Sequence, residues 1–288
     1  MNNPANRKVA TVKTALAEAV SALREASESP LLDAEVLLCK VLDKGRSYLR
    51  AWPDAIISAG QHQAYQVLVN DRRQGKPLAY IIGTREFWSR DFQVSPDVLI
   101  PRPDTELLIE LSLALIPTNQ PFRIIDLGTG SGIIAITLAA ERPHAQLFAT
   151  DISAAALACA KDNAAKHKVE HIQLYQSNWF ENVPDGKFDL IVSNPPYLAE
   201  DDEHLRQGDL RFEPKTALIS TQQGLNSIKT IAESARDRLE MGGFLLIEHG
   251  YNQEAEVQSI FSNMGFQAVQ THTDLSGQPR ATSGQYLP

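Results

Sequence analysis

Three glycines alternate in Asp126-Leu127-Gly128-Thr129-Gly130-Ser131-Gly132, between the apolar run 122–127 and a helical pattern that begins at residue 133. Glycine at every second position lets a backbone bend sharply and approach a ligand closely, so strand, tight turn and helix are expected here in that order. Apolar runs then keep alternating with helical patterns. The runs cover residues 146–150, 172–175, 188–193, 244–249 and 266–271, and the helical patterns cover 133–140, 154–165, about 225–239 and about 254–264. Such alternation builds a mostly parallel sheet with helices on both faces, whose ligands bind outside the carboxyl ends of the strands.

The turn alone leaves the ligand open. A dinucleotide fingerprint that started at Gly128 would need glycine or alanine at 133, where the chain has Ile133, and the GxGxG spacing instead resembles methyltransferases that use S-adenosylmethionine. Asp151, directly after the second strand, can accept two hydrogen bonds from a ribose diol in either cofactor class, or can cap the next helix beside Ser153.

A more specific signal lies three strands on, where the run 188–193 meets Asn194-Pro195-Pro196-Tyr197. Consecutive prolines cannot continue ladder bonding, so the chain must leave the sheet there in a rigid, extended form. The chemistry that suits this turn is methylation of a planar NH2 group. Such a nitrogen is a poor nucleophile, so it must be held in line with the methyl donor while oxygens accept its hydrogens. The Asn194 side-chain oxygen and the Pro195 carbonyl can be those acceptors, and the Tyr197 ring can stack on the flat group. No strong base is needed, because the nitrogen becomes very acidic once transfer begins.

Upstream, residues 1–83 read as a small helical bundle. Val12, Ala15, Leu16, Ala19, Leu23 and Ala26 fall at helical spacing, residues 31–42 follow the start signal Ser29-Pro30, a third segment covers about 61–74, and a short fourth runs from Pro77 to Ile82. Residues 84–99 then turn β-like, with Glu86-Phe87-Trp88 and Phe92-Gln93-Val94 expected to form a hairpin that links this bundle to a domain over 100–288.

Charge narrows the substrate. The net charge of −8 is uneven: residues 1–80 carry 11 basic and 8 acidic side chains, and residues 81–288 carry 16 and 27. A domain that grips duplex phosphates is ordinarily basic, so direct nucleic-acid binding is disfavoured, and with it the amino methylation of adenine or guanine. No apolar run approaches the ~20 residues that span a bilayer, and the polar start lacks a signal-peptide core, so no membrane partner and a cytoplasmic location are expected. Metal chemistry is not expected: Cys39 and Cys159 sit in apolar helical patterns, and Asp201-Asp202-Glu203-His204 reads as a solvated loop without ligand spacing. Trp179 beside Phe180 reads from sequence as core.

Residues 100–106, Ile-Pro-Arg-Pro-Asp-Thr-Glu, together with the glycine turn, Asp151, Asn194 to Tyr197 and Phe212-Glu213-Pro214, resemble the release factor glutamine methyltransferases over essentially the whole chain. The resemblance implies an α/β class I S-adenosylmethionine-dependent methyltransferase, Rossmann-like with a seven-stranded, mostly parallel sheet, preceded by the helical domain and the hairpin. It implies S-adenosyl-L-methionine as cofactor, S-adenosyl-L-homocysteine as product, and class I peptide chain release factors as partners, methylated on the glutamine of their Gly-Gly-Gln motif. In this reading Gly128, Thr129, Gly130, Ser131, Gly132 and Asp151 contact the cofactor, with Asp126 near its amino group and Trp179 against its adenine. Asn194, Pro195, Pro196 and Tyr197 hold the glutamine amide, with Asn194 also reaching the cofactor, and the helical domain helps to engage the release factor. Asn178 and the run Ser220-Thr221-Gln222-Gln223-Gly224 stand where relatives often carry Asp and Gly-Gly-x-Asp-Gly.

Overall fold

The structure is a computed structural model that describes residues 10–287. It divides into two compact units, with the boundary between Gly83 and Thr84. The first holds α1 (Val12–Leu23), α2 (Pro30–Leu42), α3 (Arg46–Ala51), α4 (Ala59–Arg73) and α5 (Leu78–Ile82). Capping boxes start two of them, Thr11 with Thr14 on α1 and Ser58 with Gln61 on α4, each satisfying backbone donors that a helix leaves unpaired. Pro30 opens α2, where its missing N–H costs nothing. Val12, Leu23, Leu37, Leu38 and Tyr65 form the core of this unit. The Tyr65 hydroxyl donates to the Ala34 carbonyl at 2.9 Å, and buried Asp33 accepts from Arg72 Nε at 2.7 Å. Helix α3 is an addition to the sequence reading, because six residues are too few to display a period.

The second unit begins with the hairpin β1 (Thr84–Phe87) and β2 (Arg90–Gln93), whose two turn residues, Trp88 and Ser89, both take positive φ. That is the mirror-image turn that matches strand twist. Phe87 and Phe92 are buried in the core of this unit. After α6 (Glu106–Leu115) come β3 (Arg123–Leu127), α7 (Ile133–Glu141), β4 (Gln146–Asp151), α8 (Ala154–Lys166), β5 (Gln173–Gln176) and β6 (Phe188–Ser193). Following these are α9 (Lys215–Leu218), α10 (Asn226–Arg238), β7 (Leu239–Glu248), α11 (Glu254–Asn263), β8 (Gln267–Thr273) and β9 (Pro279–Gln285). Strand order is β5-β4-β3-β6-β7-β9-β8, parallel from β5 to β7 and antiparallel at β9.

Successive residues of the central strands feed two separate cores. Ile124, Leu190 and Val192 join one, with α6 and α7, while Ile125, Leu127 and Ile191 join the other, with α10 and α11. This is why those strands read as unbroken apolar runs. The apolar runs of the sequence supply six of the seven strands. The seventh, β9, has the sequence Pro-Arg-Ala-Thr-Ser-Gly-Gln and little apolar signal, yet it lies between β7 and β8. Small residues are required there: a Cβ on Gly284 would stand 2.8 Å from Phe261 and 2.9 Å from Phe266. Among the described residues no helix is long and apolar enough to cross a membrane.

Candidate active site

The site gathers at the carboxyl ends of β3, β4 and β6. Parallel pairing aligns Leu127 with both Thr150 and Ser193, so the glycine turn, Asp151 and Asn194 leave the sheet side by side. Gly128, Gly130 and Gly132 all have positive φ, at 74°, 55° and 85°. The turn is held by its neighbours: Gly128 and Thr129 donate to the Thr150 carbonyl at 2.9 and 2.8 Å, and Gly130 N–H donates to Asp151 Oδ2 at 2.9 Å. From the other side, fully buried Asn163 of α8 donates to the carbonyls of Ser131 and Gln93 and accepts from Gln93 N–H. One side chain thus ties the glycine turn to the hairpin.

A cavity of about 390 Å³ is lined by Gly128, Thr129, Gly130, Ser131, Asp151 and Trp179, together with Asn194 and Pro196. Trp179 follows β5 with a φ of 51° and comes close to the turn, its Cζ3 being 3.6 Å from where a Cβ on Gly128 would stand. Asp151 holds Gly130 with one oxygen and Ser153 N–H, at 2.9 Å, with the other. Burial raises its pKa, against the pull of those backbone donors. Asn178 also lines the cavity, and its Nδ2 donates to Glu181.

Two of the residues expected at the cofactor stand apart from this lining. Gly132 is the cap of α7, packed against Ile136 and Ala160. Asp126 is fully buried within β3, where its Oδ2 accepts from Thr129 Oγ1 at 2.6 Å and from Ala135 N–H at 3.3 Å. Its Oδ1 has no hydrogen-bond partner among the described residues, and burial lifts its pKa to about 7. In this geometry Asp126 braces the turn and the first turn of α7.

A second cavity, about 820 Å³, is lined by Asn194, Pro195 and Tyr197, with Asp104, Tyr251 and Arg280 also in its walls. Asn194 lines both cavities. Its Nδ2 donates to Thr105 Oγ1 at 3.1 Å, so the side-chain oxygen remains to accept. The Tyr197 hydroxyl donates to Glu248 at 3.3 Å, and its carbonyl accepts from Gln253 at 3.0 Å. Gly224 lies against that same carbonyl, leaving no room for a Cβ, and it follows Gln222 and Gln223, both at positive φ. Thr105, Asn163, Glu248 and Gln253 are site residues that the sequence does not single out; of these, Thr105 alone lies in one of the motifs described above.

A seven-stranded, mostly parallel sheet with a glycine-rich turn after its first strand, a carboxylate ending the next, and Asn-Pro-Pro-Tyr beyond β6 defines a class I methyltransferase. The family model described as "Methyltransferase small domain" matches residues 104–209, and that described as "PrmC N-terminal domain" matches residues 14–83. A release factor glutamine methyltransferase of Vibrio cholerae is 47% identical over 281 residues, covering 96% of this chain and 97% of that protein. The one from Escherichia coli is 46% identical over 271 residues, covering 94% and 97%. A methyltransferase structure from Pyrococcus furiosus shares the fold with a TM-score of 0.54 at 15% identity, covering 77% of this chain and 98% of that one. The chain belongs to the release factor glutamine methyltransferase family.

Proposed function

We propose that this chain methylates the side-chain amide nitrogen, N5, of the glutamine in the Gly-Gly-Gln motif of class I peptide chain release factors, with S-adenosylmethionine as donor. The observation that carries the reading is the position of Asn194: it lines two cavities at once, and with Nδ2 committed to Thr105 it keeps an oxygen for the amide hydrogens of a substrate. Pro195 lines the larger cavity beside it, so a second acceptor, the Pro195 carbonyl, belongs to the same rigid turn. Tyr197 offers a flat face in the same cavity. Together they hold the amide plane and accept its hydrogens, which lets the nitrogen lone pair serve as nucleophile.

The smaller cavity fits the donor. Open space over Gly130, where a Cβ would meet nothing within 4 Å, leaves room for close backbone approach. Asp151 supplies a carboxylate for hydroxyl groups, and Trp179 supplies an aromatic surface. S-adenosylmethionine, when bound, supplies the methyl group as an electrophile on a sulfonium and leaves as S-adenosylhomocysteine. Gly128 to Ser131, Asp151 and Trp179 would hold it, while Asp126 and Gly132 shape the turn that does so. The helical domain, residues 1–83, serves to engage the protein substrate. The test is mass spectrometry of the Gly-Gly-Gln peptide from a release factor incubated with enzyme and donor: gain of one methyl supports the reading, and no gain sinks it. A Gly-Gly-Ala factor serves as control.

A further inference from the structure

Asn163 belongs to neither cavity wall, yet its fully buried carboxamide is used to the full. Its Oδ1 accepts from Gln93 N–H at 2.7 Å, and Nδ2 donates to the Gln93 carbonyl at 3.0 Å and to the Ser131 carbonyl at 2.8 Å. Pairing with both backbone groups of Gln93, the last residue of β2, gives that strand end what a neighbouring strand would offer. The other buried residues of α8 are Ala156, Ala160 and Ala164, so packing alone does not call for a polar group at this place.

Both partners lead into the smaller cavity. Ser131 lines it, and the amides around Ser131 are spent within the fold: Gly128 and Thr129 donate to Thr150, Gly130 to Asp151, and Gly132 to the Thr129 carbonyl at 2.8 Å. The Ser131 N–H has no hydrogen-bond partner among the described residues, and a backbone donor beside a cavity is met by whatever fills it. From Gln93 the chain runs through buried Val94 to Asp97, Val98 and Leu99, which belong to the same lining. One carboxamide thus holds two separate stretches of a single wall.

Ser131 stands between Gly130 and Gly132, both at positive φ. Glycine on either side leaves the chain free to turn the Ser131 peptide groups, so their direction must come from a partner. We propose that Asn163 is a positioning residue for the methyl donor: by holding the Ser131 carbonyl it sets the Ser131 N–H for the donor, and by pairing with Gln93 it fixes the stretch that completes the cavity. This rests on the reading of the smaller cavity as the donor site. Alanine at 163 loses all three bonds. Aspartate keeps an acceptor for Gln93 N–H but, when ionised, sets an oxygen against two carbonyl oxygens, so it restores nothing at Ser131.

The test is calorimetry of S-adenosylhomocysteine binding to the full chain and to Asn163→Ala, Asn163→Asp and Asn163→Ser. Asn163→Ala is expected to raise Kd by about 10-fold, what one hydrogen bond to the ligand is worth, and Asn163→Asp by at least as much. KM for S-adenosylmethionine rises with it, while KM for a release factor stays. Phe261→Leu, a core change outside both cavity linings, supplies a chain of lowered stability and is expected to keep Kd. In nitrogen-15 spectra the Ser131 amide signal moves when S-adenosylhomocysteine is added to the unsubstituted chain, and moves less in Asn163→Ala. Kd within about twofold in Asn163→Ala, or an equal rise in Phe261→Leu, overturns the proposal. Should Asn163→Ala not fold, Asn163→Ser, whose hydroxyl can donate to only one of the two carbonyls, decides by the same Kd and amide signal. An unsubstituted chain that binds S-adenosylhomocysteine but leaves release factor unmethylated overturns the functional reading alone, since the Kd comparison needs no acceptor. One that does not bind it overturns both.

Discussion

Glu213 and Arg102, 111 residues apart in sequence, form an ion pair in which the Glu213 side chain is wholly buried and that of Arg102 is 31% exposed. The other Glu213 oxygen accepts from Ile100 N–H at 3.0 Å. The carboxylate thereby fastens the segment that carries Thr105 to the loop that precedes α9. Removing Arg102 strands a buried negative charge, which costs far more than the net worth of the pair. Arg102→Ala is expected to lower the unfolding free energy by about 3 kcal/mol or more. Glu213→Gln is expected to cost less, since the guanidinium reaches water. Urea titrations compare the two, and an equal or reversed order would contradict this account.

Asn194→Ala separates chemistry from fold. Asn194 is half-buried, and Thr105 is the partner of its Nδ2. Loss of that bond, which leaves the buried Thr105 hydroxyl without this partner, should lower stability by about 1–3 kcal/mol. Loss of a group that takes up a substrate hydrogen should lower turnover by about 100-fold or more, the usual scale for a preorganised polar group at a reacting centre. Methyl transfer from labelled S-adenosylmethionine to release factor, set beside a thermal melt, reads both effects. Turnover within a few fold of the unsubstituted chain would remove Asn194 from the mechanism.

Local chemistry carries its own signal, and that decides which elements could be read in advance. The glycine turn and the Pro-Pro step constrain the backbone by themselves, so their places at the ends of β3 and β6 were legible, as were the strands whose residues are buried on both faces. Strand β9 was not, because its burial depends on the fit of Gly284 against Phe261 and Phe266 from other elements. The same holds in the site. The resemblance places Asp126 near the amino group of the cofactor, and the structure adds that its Oδ2 accepts from Thr129 and Ala135, contacts that no sequence pattern displays. Thr105, Asn163 and Glu248 act across 89, 32 and 51 residues on Asn194, Ser131 and Tyr197, distances at which no motif can signal.

Gly130 and Gly132 are expected to fail differently when replaced by alanine. Both have positive φ, which costs a non-glycine residue roughly 1–2 kcal/mol. At Gly132 the added Cβ would also stand 2.6 Å from Ile136 Cδ1 and 3.2 Å from Ala160 Cβ, so stability should fall further. At Gly130 nothing lies within 4 Å, and the methyl would occupy the smaller cavity. Calorimetry should therefore find weaker S-adenosylmethionine binding in Gly130→Ala with a modest stability loss, and a larger loss in Gly132→Ala. Unchanged binding in Gly130→Ala would move the donor elsewhere.

Asp126 makes stability depend on pH in a direction opposite to that of an ordinary paired carboxylate. Burial raises its pKa from 3.8 to about 7, with the nearby Asp151 charge adding to the rise and the bonds from Thr129 and Ala135 opposing it. The folded chain therefore binds this proton more tightly than the unfolded chain does. The stability so gained is fully present below the unfolded value and is lost as pH rises through about 7. Asp126→Asn keeps the shape and removes the titration. Urea unfolding at steps between pH 5 and pH 8 should find that the unsubstituted chain loses stability relative to Asp126→Asn as pH rises. A difference that stays constant, or that grows in favour of the unsubstituted chain, would mean that Asp126 is ionised at the base of the turn throughout.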